Sequence, residues 1–161
     1  MTDQTEQPQG GPGFAIAGQY VKDLSFEVPN APKIFADLAR GQPDIPINID
    51  IRAERVQDKL YEVVIHLRVD SSIEGKQVFI VELVYAGLFQ IDVPNEHLQP
   101  MLLIECPRML FPFARNIIAD VTREGGFPPL MLQPVDFVTL YRQRMAEKAS
   151  EATAGETTGT A

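Results

Sequence analysis

ECPRMLFPFARNIIADVTREGGFPPLMLQPVDF, residues 105–137, decides the fold. It reads as an amphipathic helix, a Gly-Gly stop, a proline-bounded connector and the start of a second helix. Phe113, Ile117 and Val121 recur at helical period, with Leu110, Ala114 and Ile118 beside them. Arg115, Asp120, Thr122 and Arg123 fall mostly on the opposite face. Gly125 and Gly126 can supply the left-handed residue that closes a helix. Phe127-Pro128-Pro129-Leu130 cannot continue one, because proline lacks the N–H and clashes with the preceding turn. Asp136 sits where a helix start favours an acceptor, and Phe137, Leu140, Tyr141 and Met145 make the next apolar stripe. Pro112 leaves two readings: the first helix begins near it, or a helix from Pro107 bends there.

The other 161-residue bounds follow from composition. The length suits one domain, which at this size buries roughly 70% of its unfolded surface without staples. Cys106 is the one cysteine, so no internal disulfide can form, and a reducing, cytoplasmic setting is expected. No apolar run approaches the ~18 residues of a membrane span, so no membrane insertion is expected. The N-terminus lacks the basic start and apolar core of a signal peptide. The formal net charge is -8. Asp3 and Glu6 near the start, and Glu147, Glu151 and Glu156 against Lys148 near the end, leave an acidic core as well. That argues against nucleic acid, which needs clustered Lys and Arg, and is compatible with a basic protein partner.

Residues 1–13 and 146–161 are poor in apolar side chains and are expected to be mobile tails around a domain at 14–145. Gln19–Glu27 alternates, with Tyr20, Leu24 and Phe26 facing one way and Val21, Asp23, Ser25 and Glu27 the other. Ala31–Arg40 suits a short helix or turn. Ile45–Ala53 alternates most cleanly, and Leu60–Asp70 repeats the pattern before a turn at Ser71–Gly75. Gln77–Tyr85 is the fourth strand, with Phe79, Val81, Leu83 and Tyr85 on one face and Val78, Ile80, Glu82 and Val84 on the other. Asn95–Leu103 looks helical. Short links between strands favour an antiparallel sheet. Strands followed by helices give an α+β fold: four antiparallel strands with two to three helices packed on one face.

No motif for catalysis stands out. His66 lies on the outer face of a predicted strand and His97 in a predicted helix, neither with ligand spacing or a nucleophile nearby. Cys106 reads as a buried structural thiol. There is no P-loop, dinucleotide fingerprint or HExxH. The chain is therefore expected to be a non-enzyme without cofactor or metal.

The feature that needs explaining is the surplus of apolar sheet positions. One reading is a homo-oligomer interface. Another is a groove for extended apolar peptide, with Ile45, Ile47 and Ile49 beside Tyr141 and Met145, residues that adapt to varied partners. Asp23 and Glu27 share a strand face. If it coincides with the outer face of the fourth strand, they form an acidic patch with Glu82 around Ile80.

KDLSFEVPNAP (22–32), YEVVIHLRV (61–69), VELVYAGLFQI (81–91) and CPRMLFPFAR…GGFPPLMLQPVDF (106–137) closely resemble the SecB family of protein-export chaperones. The resemblance runs from about Tyr20 to Tyr141. It implies a four-stranded antiparallel sheet with helices, assembled as a dimer of dimers. It also implies ATP-independent holding of unfolded secretory precursor proteins in the cytoplasm, and delivery to the SecA ATPase. The family's SecA contact matches Asp23, Glu27, Ile80 and Glu82. Its client groove matches Ile45, Ile47, Ile49, Tyr141 and Met145, and positions that influence tetramer assembly match Phe79, Val81, Leu83 and Tyr85. Val81 stands where some members carry cysteine, and Ala86 replaces one of a glycine pair. The tail that contributes to SecA binding in the family lacks basic or aromatic runs here. Two other classes remain on the residues alone: a hot-dog-like thioesterase, whose sheet would wrap an early central helix, and an oligomeric adaptor.

Overall fold

The computed structural model describes residues 13–156, so the expected N-terminal tail lies outside the described residues but for Gly13. Four strands, β1 (Phe14–Glu27), β2 (Ile47–Gln57), β3 (Leu60–Ile73) and β4 (Lys76–Ile91), form one antiparallel sheet in the order β1-β4-β3-β2. Tight turns at Asp58–Lys59 and Glu74–Gly75 chain β2, β3 and β4 as hairpins. Lys59, Glu74 and Gly75 adopt the positive φ such turns require. β1 then pairs with the other side of β4. The helices are α1 (Ile34–Leu38), α2 (Asn95–Pro100), α3 (Cys106–Glu124) and α4 (Phe137–Glu156). The long helices follow the sheet, and only the five-residue α1 precedes β2, which is not the order of a sheet wrapped round an early central helix.

One face of the sheet carries the core. Val63, Ile65, Leu67 and Val69 of β3 and Phe79, Val81, Leu83 and Phe89 of β4 are buried there under Leu110, Ala114 and Ile118 of α3. Gly87 lets the helix come close: a Cβ there would stand 2.7 Å from Leu110 Cδ2. The other face, called outer below, bears Glu62, Val64, His66 and Arg68.

The parity expected for Gln19–Glu27 fails at one place. Val21 pairs with Tyr85 but Asp23 with Val84, so Lys22 is an extra, bulged residue. Val21 therefore joins Leu24 and Phe26 on the core side, while Tyr20 lies on the outer face and donates to Glu62 Oε2 at 2.6 Å.

α2 runs without a break through a π-helical turn, Met101–Glu105, into α3. That turn lies between Pro100 and Pro107. The Cys106 N–H reaches the Met101 carbonyl five residues back, a re-registration that absorbs the missing proline donors. Pro112 sits inside α3 rather than at its start, on the helix's exposed side. Thr122 is buried, contrary to its expected place on the polar face. Its hydroxyl donates to the Ile118 carbonyl at 2.8 Å and accepts the Leu130 N–H at 2.9 Å, pinning the connector to α3. Phe113 is half exposed although it falls in the apolar stripe. Gly126 closes the helix at φ 90°.

Asp136 caps α4 as expected: Oδ1 accepts the Thr139 N–H at 3.1 Å and Oδ2 the Thr139 hydroxyl at 2.8 Å. Residues 146–156 continue the helix instead of leaving it. Ala, Glu and Lys are strong helix formers, so this stretch coils without packing; partial burial stops at Met145.

Candidate functional site

Two surfaces collect the residues singled out by sequence. The first follows β2. Ile45 lines a cavity of about 410 Å³ walled by Val78, Phe79, Phe127, Pro128 and Leu130. Ile47 is exposed beyond it. Ile49 then lines a cleft of about 190 Å³ with Leu103, Leu140 and Tyr141, which adjoins a third, of about 340 Å³, at Ile51–Glu54. Ile45, Ile49 and Tyr141 thus line hollows beside β2, with the exposed Ile47 between the first and the second. Met145 is half-buried on α4 but lines none of the three hollows.

The aromatic end of the groove was missed by sequence reasoning. Phe127 packs against Phe79 at 5.1 Å and stacks on Phe35 at 5.2 Å, and Phe26 lies 5.9 Å from Phe79. These rings come from four separate segments, so no local periodicity groups them. The available signal was Phe127-Pro128-Pro129-Leu130, an apolar connector too rigid to bury itself in a helix. The cavity wall is almost wholly apolar and open, which suits bulky apolar side chains.

The second surface is the outer sheet face. The register sets Glu27 beside Ile80, Ser25 beside Glu82 and Asp23 beside Val84, so Asp23, Glu27, Ile80 and Glu82 share one patch. Its charge is partly answered from β3. His66 Nε2 lies 2.8 Å from Glu82 Oε1, and Arg68 Nη1 donates to Oε2 at 3.2 Å while reaching Asp70 Oδ2 at 3.3 Å. Asp23 and Glu27 are exposed and make no ion pair among the described residues, so they carry the outward charge. Farther along, Lys22 and Tyr20 both bond Glu62 and hold its carboxyl below the usual range. Burial and the same carboxylate push the Tyr20 phenol up to about 12.

The residues matched to tetramer assembly lie elsewhere. Phe79, Val81, Leu83 and Tyr85 are only 4%, 0%, 0% and 7% exposed within the single chain, under α3. They cannot face a partner directly, because the helices of their own chain already cover them. Beside these strand-four residues, the large apolar side chains left open are Ile16, Val21 and Leu24 of β1 and Met109 and Phe113 of α3. Phe113 stacks on Tyr85 at 6.4 Å and joins the two groups.

Cys106 is buried, and burial pushes its thiol up to about 12, which leaves it protonated and inert. Among the described residues no cluster of three or more His, Cys, Asp or Glu could hold a metal, and no helix is long and apolar enough to cross a membrane.

Known proteins agree with this architecture. The sequence model of the family described as preprotein translocase subunit SecB matches residues 5–148. The protein-export protein SecB of Paramagnetospirillum magneticum is 52% identical over 147 residues, covering 91% of this chain and 95% of its own. That of Rhodospirillum rubrum is 52% identical over 155 residues, covering 96% of each. Among solved structures, a SecB-like chaperone of Mycobacterium tuberculosis in complex with an antitoxin peptide superposes with a TM-score of 0.63 at 19% identity. The match covers 76% of this chain and 90% of that one, and bears on the fold. The chain belongs to the SecB family of protein-export chaperones.

Proposed function

We infer that the protein is an ATP-independent holding chaperone of the cytoplasm. It keeps unfolded secretory precursors competent for export and hands them to the SecA ATPase, working as a homotetramer. The observation that carries this reading is the run of three open hollows beside β2: one lined almost wholly by apolar residues at Ile45, Phe79 and Phe127, and two that mix apolar Ile49, Leu103 and Leu140 with charged side chains. Each hollow takes a side chain or two and binds weakly. An unfolded chain spans several hollows and several protomers at once. Effective concentration then raises overall affinity by about 10² to 10⁴ over a single site. A folded client hides those side chains and is released.

The acidic patch is the motor's docking surface in this reading. It lies on the outer sheet face, while Ile47 and Ile49 of the groove point to the other face. Client and motor therefore need not compete for the same residues. Attraction between Asp23, Glu27 and Glu82 and a basic partner speeds encounter and weakens with salt. Assembly draws on the β1 edge and the open apolar side chains of β1 and α3, which an isolated protomer leaves in water.

Charge reversal separates the two surfaces. Glu82→Lys places a cation beside His66 and Arg68 in the docking patch. SecA binding should fall at least tenfold by surface plasmon resonance, while affinity for an unfolded precursor stays within twofold of the parent. Equal loss of both would contradict the division between the faces.

A further inference from the structure

Over its whole length β1 carries two bulges. Phe14 and Ile16 pair with Ile91 and Phe89, and Leu24 and Phe26 with Leu83 and Val81, so both ends of the strand turn even-numbered side chains to the core face. Between them Ala17 and Lys22 are extra residues. Residues 18–21 therefore run in the opposite phase: Gln19 and Val21 pair with Gly87 and Tyr85, and Tyr20 with Ala86 on the outer face. A strand without bulges would keep one phase from Phe14 to Phe26 and slide along β4 at one end. Gly18, Tyr20 and Lys22 would then face the core side, and Gln19 and Val21 would leave it. Three side-chain bonds hold the middle segment over, and all three belong to the bulged phase. The Tyr20 hydroxyl donates to Glu62 Oε2 at 2.6 Å, and Lys22 Nζ to Oε1 of the same carboxylate. On the core face the Tyr85 hydroxyl donates to Gln19 Oε1 at 3.0 Å. The first two cross β4, whose residue beside Tyr20 is only Ala86. They fill both oxygens of a carboxylate whose side chain is 16% exposed.

We propose that Tyr20, Lys22 and Glu62 are positioning residues for self-assembly. Their clamp across β4 holds residues 18–21 in the flipped phase, which sets Val21 between Ile16 and Leu24 in an apolar stripe for a second copy of the chain. This rests on the assembly reading above and names what prepares its surface. The three stripe residues are 39%, 45% and 41% exposed in the order Ile16, Val21, Leu24. Val21 stands beside Tyr85, on which the exposed Phe113 stacks, so the stripe continues onto α3. In the plain phase Val21 would turn away and Lys22 would enter the stripe, where an ammonium is costly to desolvate. A second copy fits because the stripe runs along an open sheet edge. Two such strands related by a twofold axis offer each other the same edge and the same side chains. The clamp lies on the outer face, so it acts through the phase of the strand and not by touching the partner.

The test uses the full chain and two readouts. Sedimentation over a dilution series gives the dissociation constant of the assembly. The nuclear Overhauser effect between the Val21 methyls and the Tyr85 ring, direct cross-strand neighbours, reports the phase. Glu62→Ala removes both acceptors; it should raise the dissociation constant about tenfold and abolish the Val21–Tyr85 signal. Glu62→Gln keeps the shape and an acceptor for Tyr20 without the charge, and should raise the constant about threefold. Lys22→Glu combined with Glu62→Lys restores the ion pair with its ends exchanged, the Tyr20 hydroxyl now accepting. That pair should return both readouts toward the parent's. Should Glu62→Ala not fold, Glu62→Gln and the exchanged pair carry the same comparison. Assembly of the Glu62 variants at the parent's constant overturns the proposal. So does weaker assembly with the Val21–Tyr85 signal intact, or an exchanged pair that restores neither readout. A parent chain that stays monomeric throughout the series overturns the assembly reading itself, and the proposal with it.

Discussion

Single residues decide more here than the patterns around them. Lys22 is the clearest case. One extra residue in β1 exchanges the faces of Tyr20 and Val21, and nothing in a run of alternating side chains announces a bulge. Asp23 and Glu27 lie beyond it on one continuous stretch, so their shared face was legible in sequence. The link to Glu82 was not, because it depends on β1 pairing with β4. Ser71 offers a direct test of the core. It is fully buried on β3, and its hydroxyl has no hydrogen-bond partner. An unsatisfied buried hydroxyl costs about 1–3 kcal/mol. Ser71→Ala should therefore raise the free energy of unfolding by about 1 kcal/mol, read as a higher urea midpoint with unchanged slope. A lower midpoint would mean that the hydroxyl has a partner.

At the scale of elements, the hairpins and the helix start at Asp136 were readable because their signals are local: alternation, turn residues and a cap. The unbroken run from α2 through the π-helical turn to α3 was not, since Pro107 and Pro112 argued for a start or a bend, and the shift in hydrogen-bond register before Pro107 leaves no mark in a local pattern. The exposed end of α4 was read as a tail because it lacks apolar residues, yet helix propensity alone suffices to coil it. The Asp136 cap can be tested by titration. Bonds from the Thr139 N–H and hydroxyl hold its carboxyl below the usual range. The folded form therefore favours the ionised cap. The stabilisation is complete above the unfolded-state value, about pH 4, and is lost as the pH falls through the lower folded value. Asp136→Ala should lower the helical circular dichroism signal and weaken client-peptide binding at pH 7. The difference between variant and parent should shrink as the pH drops below about 4. A difference that persists undiminished in acid would remove the carboxylate from the account.

At the scale of the whole molecule, one chain leaves two things unsatisfied. β1 and β2 are the sheet's edges among the described residues, and apolar side chains on β1 and α3 stay open to water. The sheet and its core were legible in the alternation of four strands. The division of the open surface was only partly so. Ile45, Ile47 and Ile49 could be placed on one strand face by their spacing, but the aromatic cluster needed four distant segments brought together. The strand-four residues expected at a subunit interface turned inward instead, since a strand apolar on both faces does not say which face its own helices cover.

The most direct measurement is size-exclusion chromatography with multi-angle light scattering, on the full chain alone and with a reduced secretory precursor kept unfolded. The account predicts a tetramer that co-elutes with the unfolded precursor and not with its native form. A monomer, or a tetramer that passes the unfolded precursor by, would contradict it.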